Sequence, residues 1–180
     1  MIVRFSSRQG TIRAERAAHP QEIGLDFLPE DETYMARAIA LAERAAKSGE
    51  VPVGALVVYD GRIIGAAHNL TRRIQDSTAH AEFLALRRAA DWLGHWYFDE
   101  CTLYSTLEPC VMCAGALVLG KLGRLVYGAG EPKFGGCGSV FNLVEEPGLN
   151  HRLNVTRGVL AAECASLLQR FFKGIREDSA

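Results

Sequence analysis

Two short segments carry residues whose types and spacing suit metal chemistry: His80-Ala81-Glu82, and Pro109-Cys110-Val111-Met112-Cys113. Two cysteines at i and i+3 in the first turn of a helix share one face. The partial positive charge of that N-terminus favours thiolates, the form in which sulfur binds metal. Pro109 suits the position just ahead of the turn, where no backbone N–H is needed. Two sulfurs and an imidazole make a soft-to-borderline donor set that fits Zn²⁺. Three protein ligands rather than four leave a position for water, as in catalytic rather than structural zinc sites. Zinc lowers the pKa of a bound water from 15.7 to about 7, so hydroxide becomes available at neutral pH. Glu82, two residues from His80, is then the group to take that proton and hand it on. Two blander readings use the same residues: Cys137 closes the zinc as a fourth, structural ligand, or the Cys-x-x-Cys is a redox pair.

These residues must be brought together by the elements around them. Helical periodicity over Asp31–Ser48, with Gly49 as C-cap, predicts a first helix. Val53–Tyr59 and Arg62–His68 are β-rich runs joined by Asp60-Gly61, the dipeptide of a two-residue type I′ hairpin, so they pair antiparallel. A second helix is predicted over 79–93 with Gly94 behind it, then a strand at Cys101–Ser105, a helix at Cys110–Leu119, a strand at Arg124–Tyr127 and a last amphipathic helix over Val159–Ile175. On that helix Leu160, Cys164, Leu167, Leu168 and Phe171 form one stripe. Strands alternating with helices behind an antiparallel hairpin give an α/β sandwich with a mixed sheet. Helix N-termini gather beyond the C-terminal strand ends of such a sheet, which lets His80 meet the cysteines. Gly130–Gly138, with four glycines in nine residues, is either a structural turn or a mobile edge to a site.

Composition narrows the rest. A chain of 180 residues with 48% hydrophobic and 23% charged residues is one globular domain, neither disordered nor fibrous. Residues 1–28 read as a flexible extension and 29–180 as the working domain. Arg4, Arg8, Arg13 and Arg16 against the single acid Glu15 keep a transit peptide open as an alternative for residues 1–20. There is no signal-peptide h-region, and the longest apolar run, Cys110–Gly120, is too short to span a bilayer, so no membrane partner is expected. Five cysteines, an odd number in a chain that needs no staples, fit a reducing cytoplasm better than a secreted disulfide framework. A net charge of −1 means that any nucleic-acid binding rests on local patches.

His-x-Glu followed by Pro-Cys-x-x-Cys resembles the signature of the zinc-dependent deaminases. Further segments are similar to the bacterial tRNA-specific adenosine deaminases: Gly49-Glu-Val-Pro-Val-Gly-Ala55, Thr78-Ala-His-Ala-Glu82, Thr102-Leu-Tyr104, Thr106-Leu-Glu-Pro-Cys-Val-Met-Cys-Ala-Gly115, Gly123-Arg124, Pro147-Gly148 and Asn150-His-Arg152. The resemblance runs from about Tyr34 to Arg176. It implies a three-layer α/β/α cytidine-deaminase-like fold with a central mixed five-stranded sheet, and a homodimer with one Zn²⁺ per subunit. The implied activity is hydrolytic conversion of adenosine to inosine at the wobble position of a tRNA anticodon stem-loop, with no DNA substrate. It assigns His80, Cys110 and Cys113 as ligands, Glu82 as proton shuttle, and Asn69 as a hydrogen-bond partner of the flipped base. Pro52, in the Glu-Val-Pro-Val segment, and Ala81 join it at the substrate, with the backbone N–H of Ala81 or Cys110 holding substrate or the nascent oxygen. Glu131 stands where that family usually has aspartate, beside Gly130, which puts the flanking-base preference in question. Lys133 is a phosphate contact and Phe172 a stacking platform, with Arg72, Arg73, Arg170, Lys173 and Arg176 as nearby cations. The alternatives are a zinc deaminase of free cytosine, cytidine or guanine, and a non-catalytic zinc-stabilised RNA-binding module.

Overall fold

The computed structural model describes residues 27–177. The expected extension falls, but for its last two residues, outside them. The order is α1 (Asp31–Lys47), β1 (Gly54–Tyr59), β2 (Arg62–His68), α2 (Ala81–Leu93), β3 (Cys101–Leu107), α3 (Val111–Leu119), β4 (Arg124–Ala129), a 3₁₀ turn (Leu143–Glu145), β5 (Asn154–Arg157) and α4 (Ala161–Glu177). One sheet of order β2-β1-β3-β4-β5 joins all five strands. The β1 pairings to β2 and β3 are antiparallel, and β3–β4 and β4–β5 are parallel. Asp60 and Gly61 both have positive φ, 47° and 69°, as the type I′ turn between β1 and β2 requires.

Both faces of the sheet are covered, which is why β1 is apolar along its length rather than alternating. Ala55 and Val57 of β1, with Leu103 and Leu125, pack on one face against Ala85 and Leu86 of α2 and Leu117 and Val118 of α3. Leu56 and Val58, with Tyr104 and Val126, pack on the other face against Met35 and Ala38 of α1 and Cys164 of α4. The result is the expected three-layer α/β/α sandwich.

Local differences from the sequence reading have local causes. Residues 79 and 80 precede α2, because His80 is extended (φ −73°, ψ 149°) and serves as N-cap; Cys110 does the same for α3 (φ −66°, ψ 170°). The last helix starts at Ala161 because Leu160 has φ 49°. Its stripe buries Cys164 and Leu167 but leaves Leu168 and Phe171 partly exposed. Periodicity finds four strands; the fifth, β5, is an edge strand of four residues, Asn-Val-Thr-Arg, with one buried side chain, Thr156, and carries no apolar alternation.

Candidate active site

The sequence starts α2 and α3 at residues that are themselves ligand candidates, so the ends of the two helices set the geometry. His80 Nδ1 lies 3.6 Å from Cys110 Sγ and 3.7 Å from Cys113 Sγ. Zn–S bonds of about 2.3 Å and Zn–N bonds of about 2.0–2.1 Å at the tetrahedral angle put N and S roughly 3.5–3.6 Å apart. The three donors therefore fit zinc, and they are the one group of metal-holding side chains among the described residues. Cys113 donating to the Cys110 sulfur holds Cys110 down to about 4, and the same contact pushes Cys113 well above the ordinary thiol range. The hydrogen bond to Cys110 raises His80 against the effect of its burial. A thiolate beside an imidazole is the electron-rich pair a divalent cation needs.

Glu82 sits on the first turn of α2, 3% exposed, and burial pushes its carboxyl up to about 7. It opens onto a cavity of about 480 Å³ whose wall includes His80, Cys110, Asn69, Thr71, Ser77, Glu108, Glu131 and Phe134, with Val51, Val53, Leu107 and Met112 as its apolar lining. A carboxyl beside the metal donors in a mostly apolar cavity can exchange a proton near neutrality.

Cys137 is not a ligand. Its thiol is fully buried and donates to the Pro109 carbonyl at 3.7 Å, and burial pushes its pKa up. The reading in which Cys137 closes a structural zinc site is thereby corrected, and all five cysteines are free, so Cys110 and Cys113 form no disulfide.

The Ala81 amide, expected at the substrate, instead donates to Asn69 Oδ1 at 2.9 Å in this structure. That bond fixes the Asn69 amide with its oxygen on the α2 N-terminus. No buried side-chain nitrogen or oxygen among the described residues lacks a partner, and Nδ2 has none among them, so it is not buried and lies with Asn69 on the cavity wall. Pro52 is buried off the cavity wall, while its neighbours Val51 and Val53 line it. Glu131 lies on the wall, its side chain accepting from the Lys133 amide at 2.8 Å. Lys133 and Phe172 share a separate shallow cleft of about 380 Å³ with Leu168, Gln169 and Arg176. Phe172 is 42% exposed and meets Phe171 edge-on at 5.5 Å. The cations Arg72 and Arg73 are not on the cavity wall, which their neighbour Thr71 lines; their backbone amides hold Glu50 at 3.1 and 2.7 Å. Of the other two cations on α4, Arg170 bonds Ser166 at 2.7 Å and Lys173 pairs with Glu177 at 3.7 Å, both on the surface.

Two carboxylates received no role from sequence. Glu50, fully buried, accepts from Thr71, Arg72 and Arg73 and so shapes the loop between β2 and α2. Glu108, 1% exposed, accepts from the loop after β4. Their partners lie 21 to 31 residues away, so no local pattern marks either one.

A MafB19-like deaminase family model matches residues 29–176. The chain belongs to that family. It is 47% identical over 150 residues to a tRNA-specific adenosine deaminase of Bacillus subtilis, an alignment covering 83% of this chain and 93% of the relative. A tRNA-specific adenosine deaminase of Aquifex aeolicus is 45% identical over 147 residues, covering 82% and 97%. A solved structure from work on A-to-I editing by tRNA:A34 deaminases at the wobble position superposes with a TM-score of 0.73 at 40% identity, covering 76% of this chain and 99% of the other. Within this family frame, the helix-capping residues His80 and Cys110, with Cys113 one turn on, form a cluster consistent with a zinc site.

Proposed function

We infer that the protein hydrolyses adenosine to inosine at the wobble position of a tRNA anticodon, releasing ammonia. The observation that carries this reading is the His80, Cys110 and Cys113 donor set beside buried Glu82 in one cavity, on a chain similar over more than four-fifths of its length to tRNA-specific adenosine deaminases. Zinc held by the three donors would lower the pKa of a water and supply hydroxide at neutral pH. Glu82 takes the proton of that water and delivers it to N1 of adenine, which makes C6 electrophilic toward the oxygen. Glu82 then takes the proton remaining on the oxygen now bonded to C6 and passes it to the amino nitrogen as the C6–N bond breaks; water and adenosine have then become inosine and ammonia. Asn69 Nδ2 donates to an acceptor on the edge of the flipped base, while its oxygen stays on the α2 N-terminus. Among the described residues the Cys110 amide has no backbone acceptor outside the helices and strands, and is left to donate to the oxygen forming at C6.

The surface fits an RNA loop at the cavity. Lys133 and Arg176 contact phosphate and Phe172 stacks a neighbouring base in the cleft they share. Glu131 on the cavity wall reads the nucleotide beside the target. A homodimer with one zinc per subunit belongs to the same reading, supported by an apolar cleft between α2 and α3 lined by Phe83, Leu86, Trp96, Phe98 and Leu119. Leu119 is 72% exposed there, a degree of apolar exposure that a partner surface would cover. No helix among the described residues is long and apolar enough to cross a membrane; a cytoplasmic place alongside tRNA completes the proposal.

The test presents the zinc-loaded protein with an anticodon stem-loop bearing adenosine at the wobble position and, in parallel, with free cytidine and guanine. Inosine in the RNA with stoichiometric ammonia is expected. Ammonia from the free compounds without inosine in RNA would overturn the substrate, and ammonia from none would leave a non-catalytic zinc module.

A further inference from the structure

Glu108 stands two residues before Cys110, yet its carboxylate turns away from the donors and into the glycine-rich loop. Oε1 accepts the amides of Cys137 (2.9 Å) and Ser139 (3.0 Å); Oε2 accepts the amide of Glu131 (3.0 Å) and the hydroxyl of Ser139. Each oxygen thus takes two hydrogen bonds, which uses its acceptor capacity and leaves no lone pair for a proton from substrate. Such bonds to an ionised group are the strong kind.

The backbone on either side repeats the connection. Val111 donates to the Phe134 carbonyl at 3.1 Å and Gly136 to the Pro109 carbonyl at 2.9 Å. The segment that presents Cys110 and the loop that carries Glu131 and Phe134 are therefore one braced unit. Gly135 shows how closely the brace fits. It needs no left-handed φ, but a Cβ there would stand 2.6 Å from Glu108 Oε1 and 2.5 Å from the Glu131 carbonyl. The loop is a structural turn, and what holds it is the buried Glu108 carboxylate between the end of β3 and the cysteines.

We propose that Glu108 is a positioning residue for substrate recognition: its carboxylate fixes the 131–139 loop so that Glu131 and Phe134 stand on the cavity wall, and substrate binding depends on it while the proton chemistry does not. This rests on the functional reading above for its substrate, the wobble-adenosine stem-loop. The amides it engages carry a second readout that needs no substrate.

The experiment compares the zinc-loaded protein with Glu108→Gln, whose Nε2 can accept neither the Glu131 amide nor any other donor. Expected are a KM for the stem-loop raised at least tenfold, a kcat within about threefold, unchanged zinc content, and amide hydrogen exchange at least tenfold faster at Glu131, Cys137 and Ser139. Ser139→Ala, which removes one of the four bonds and spares the charge, should shift KM in the same direction by a smaller factor and serves if the Gln variant does not fold. An unchanged KM in a folded variant, or a fall in kcat with KM unchanged, would overturn the proposal. If the unaltered protein fails to deaminate the stem-loop, the substrate reading fails; the exchange rates still decide the brace, and amides as protected in Glu108→Gln as in the parent would sink it.

Discussion

Replacing Asp31 with Asn should destabilise the fold by an amount large enough to see in a single melt. Asp31 begins α1 with no exposed side-chain surface and accepts four hydrogen bonds. They come from the Leu28 amide at 2.8 Å, the Tyr104 hydroxyl at 2.9 Å, and both arms of the Arg124 guanidinium at 2.8 and 2.7 Å. Arg124, on β4, also donates to Thr156 of β5 at 2.8 Å, so one carboxylate ties α1 to three strands. Breaking a buried pair from one side costs about 3–5 kcal/mol, because the remaining charge keeps its desolvation and loses its counterion. With roughly 150 ordered residues and an unfolding entropy of about 2.1 cal/mol/K per residue, the drop in Tm is about 10–16 °C. Thermal unfolding of the zinc-loaded protein at pH 7 measures it. The pH dependence has a fixed sign. Burial alone would raise the Asp31 pKa, but the hydrogen bond from Arg124 and those from Leu28 and Tyr104 outweigh it and hold the group below 3.8. A depressed folded pKa contributes stability that is complete above the unfolded value and lost as pH falls through the folded one. The gap between parent and variant should therefore be constant from pH 7 to about 5 and close below about pH 4. Pairing Asp31→Leu with Arg124→Met should recover part of the loss, since replacing both charges by apolar groups is often neutral. A Tm shift under about 3 °C, or a gap that widens toward acid, would refute the assignment of this pair as a net contributor.

Three further outcomes bear on the site. Glu82→Gln should keep its zinc by elemental analysis and lose roughly 10²–10⁴-fold in kcat on the stem-loop, the span of general acid–base catalysis; a near-native rate would remove Glu82 from the proton path. Cys137→Ala should retain zinc as the parent does, at a cost of about 1 kcal/mol for the vacated core volume, whereas Cys113→Ala should lose the metal; metal loss from the Cys137 variant would restore a four-ligand site. Asn69→Asp keeps an oxygen on the Ala81 amide and removes the donor to the base, so it should melt near the parent while kcat/KM falls about tenfold or more; Asn69→Ala should lose both that activity and about 1 kcal/mol of helix capping. Equal melting temperatures for the Asp and Ala variants would show that the cap carries no stability.

How much was legible in the sequence follows from how far apart the partners are. His80, Glu82, Cys110 and Cys113 are readable because the chemistry needs them within two or three residues of one another on two helix starts, and the helix and hairpin periods that place those starts are local patterns. Asn69 was legible only through the family resemblance, and its actual bond, to Ala81, is made 12 positions away. Sequence left Cys137 open as a ligand because a cysteine in a glycine-rich loop can face either way; the Pro109 carbonyl decides it. The acids at 31, 50 and 108 look like surface residues in any window, since what buries them comes from segments 21 to 93 residues off. Edge strand β5 fails for the opposite reason: it buries too little to leave a pattern.

The buried acids also bear on RNA binding. The chain as a whole carries −1, with 20 basic and 21 acidic residues. Every fully buried charged residue among the described ones is an acid: Asp31, Glu50, Glu82 and Glu108. Asp31 is neutralised by Arg124, Glu50 and Glu108 are met by backbone N–H dipoles, and burial pushes the Glu82 carboxyl up to about 7. Field from these four reaches an approaching phosphate only weakly, so the exposed groups present a more positive balance than the formal count. Lys133 and Arg176 then lie in a cleft with Phe172 that no acidic side chain among the described residues lines. A slope of log affinity against log salt of about −0.7 per phosphate contact on single-stranded RNA would follow from a few such contacts, and a slope near zero would mean that recognition rests on the base pocket alone.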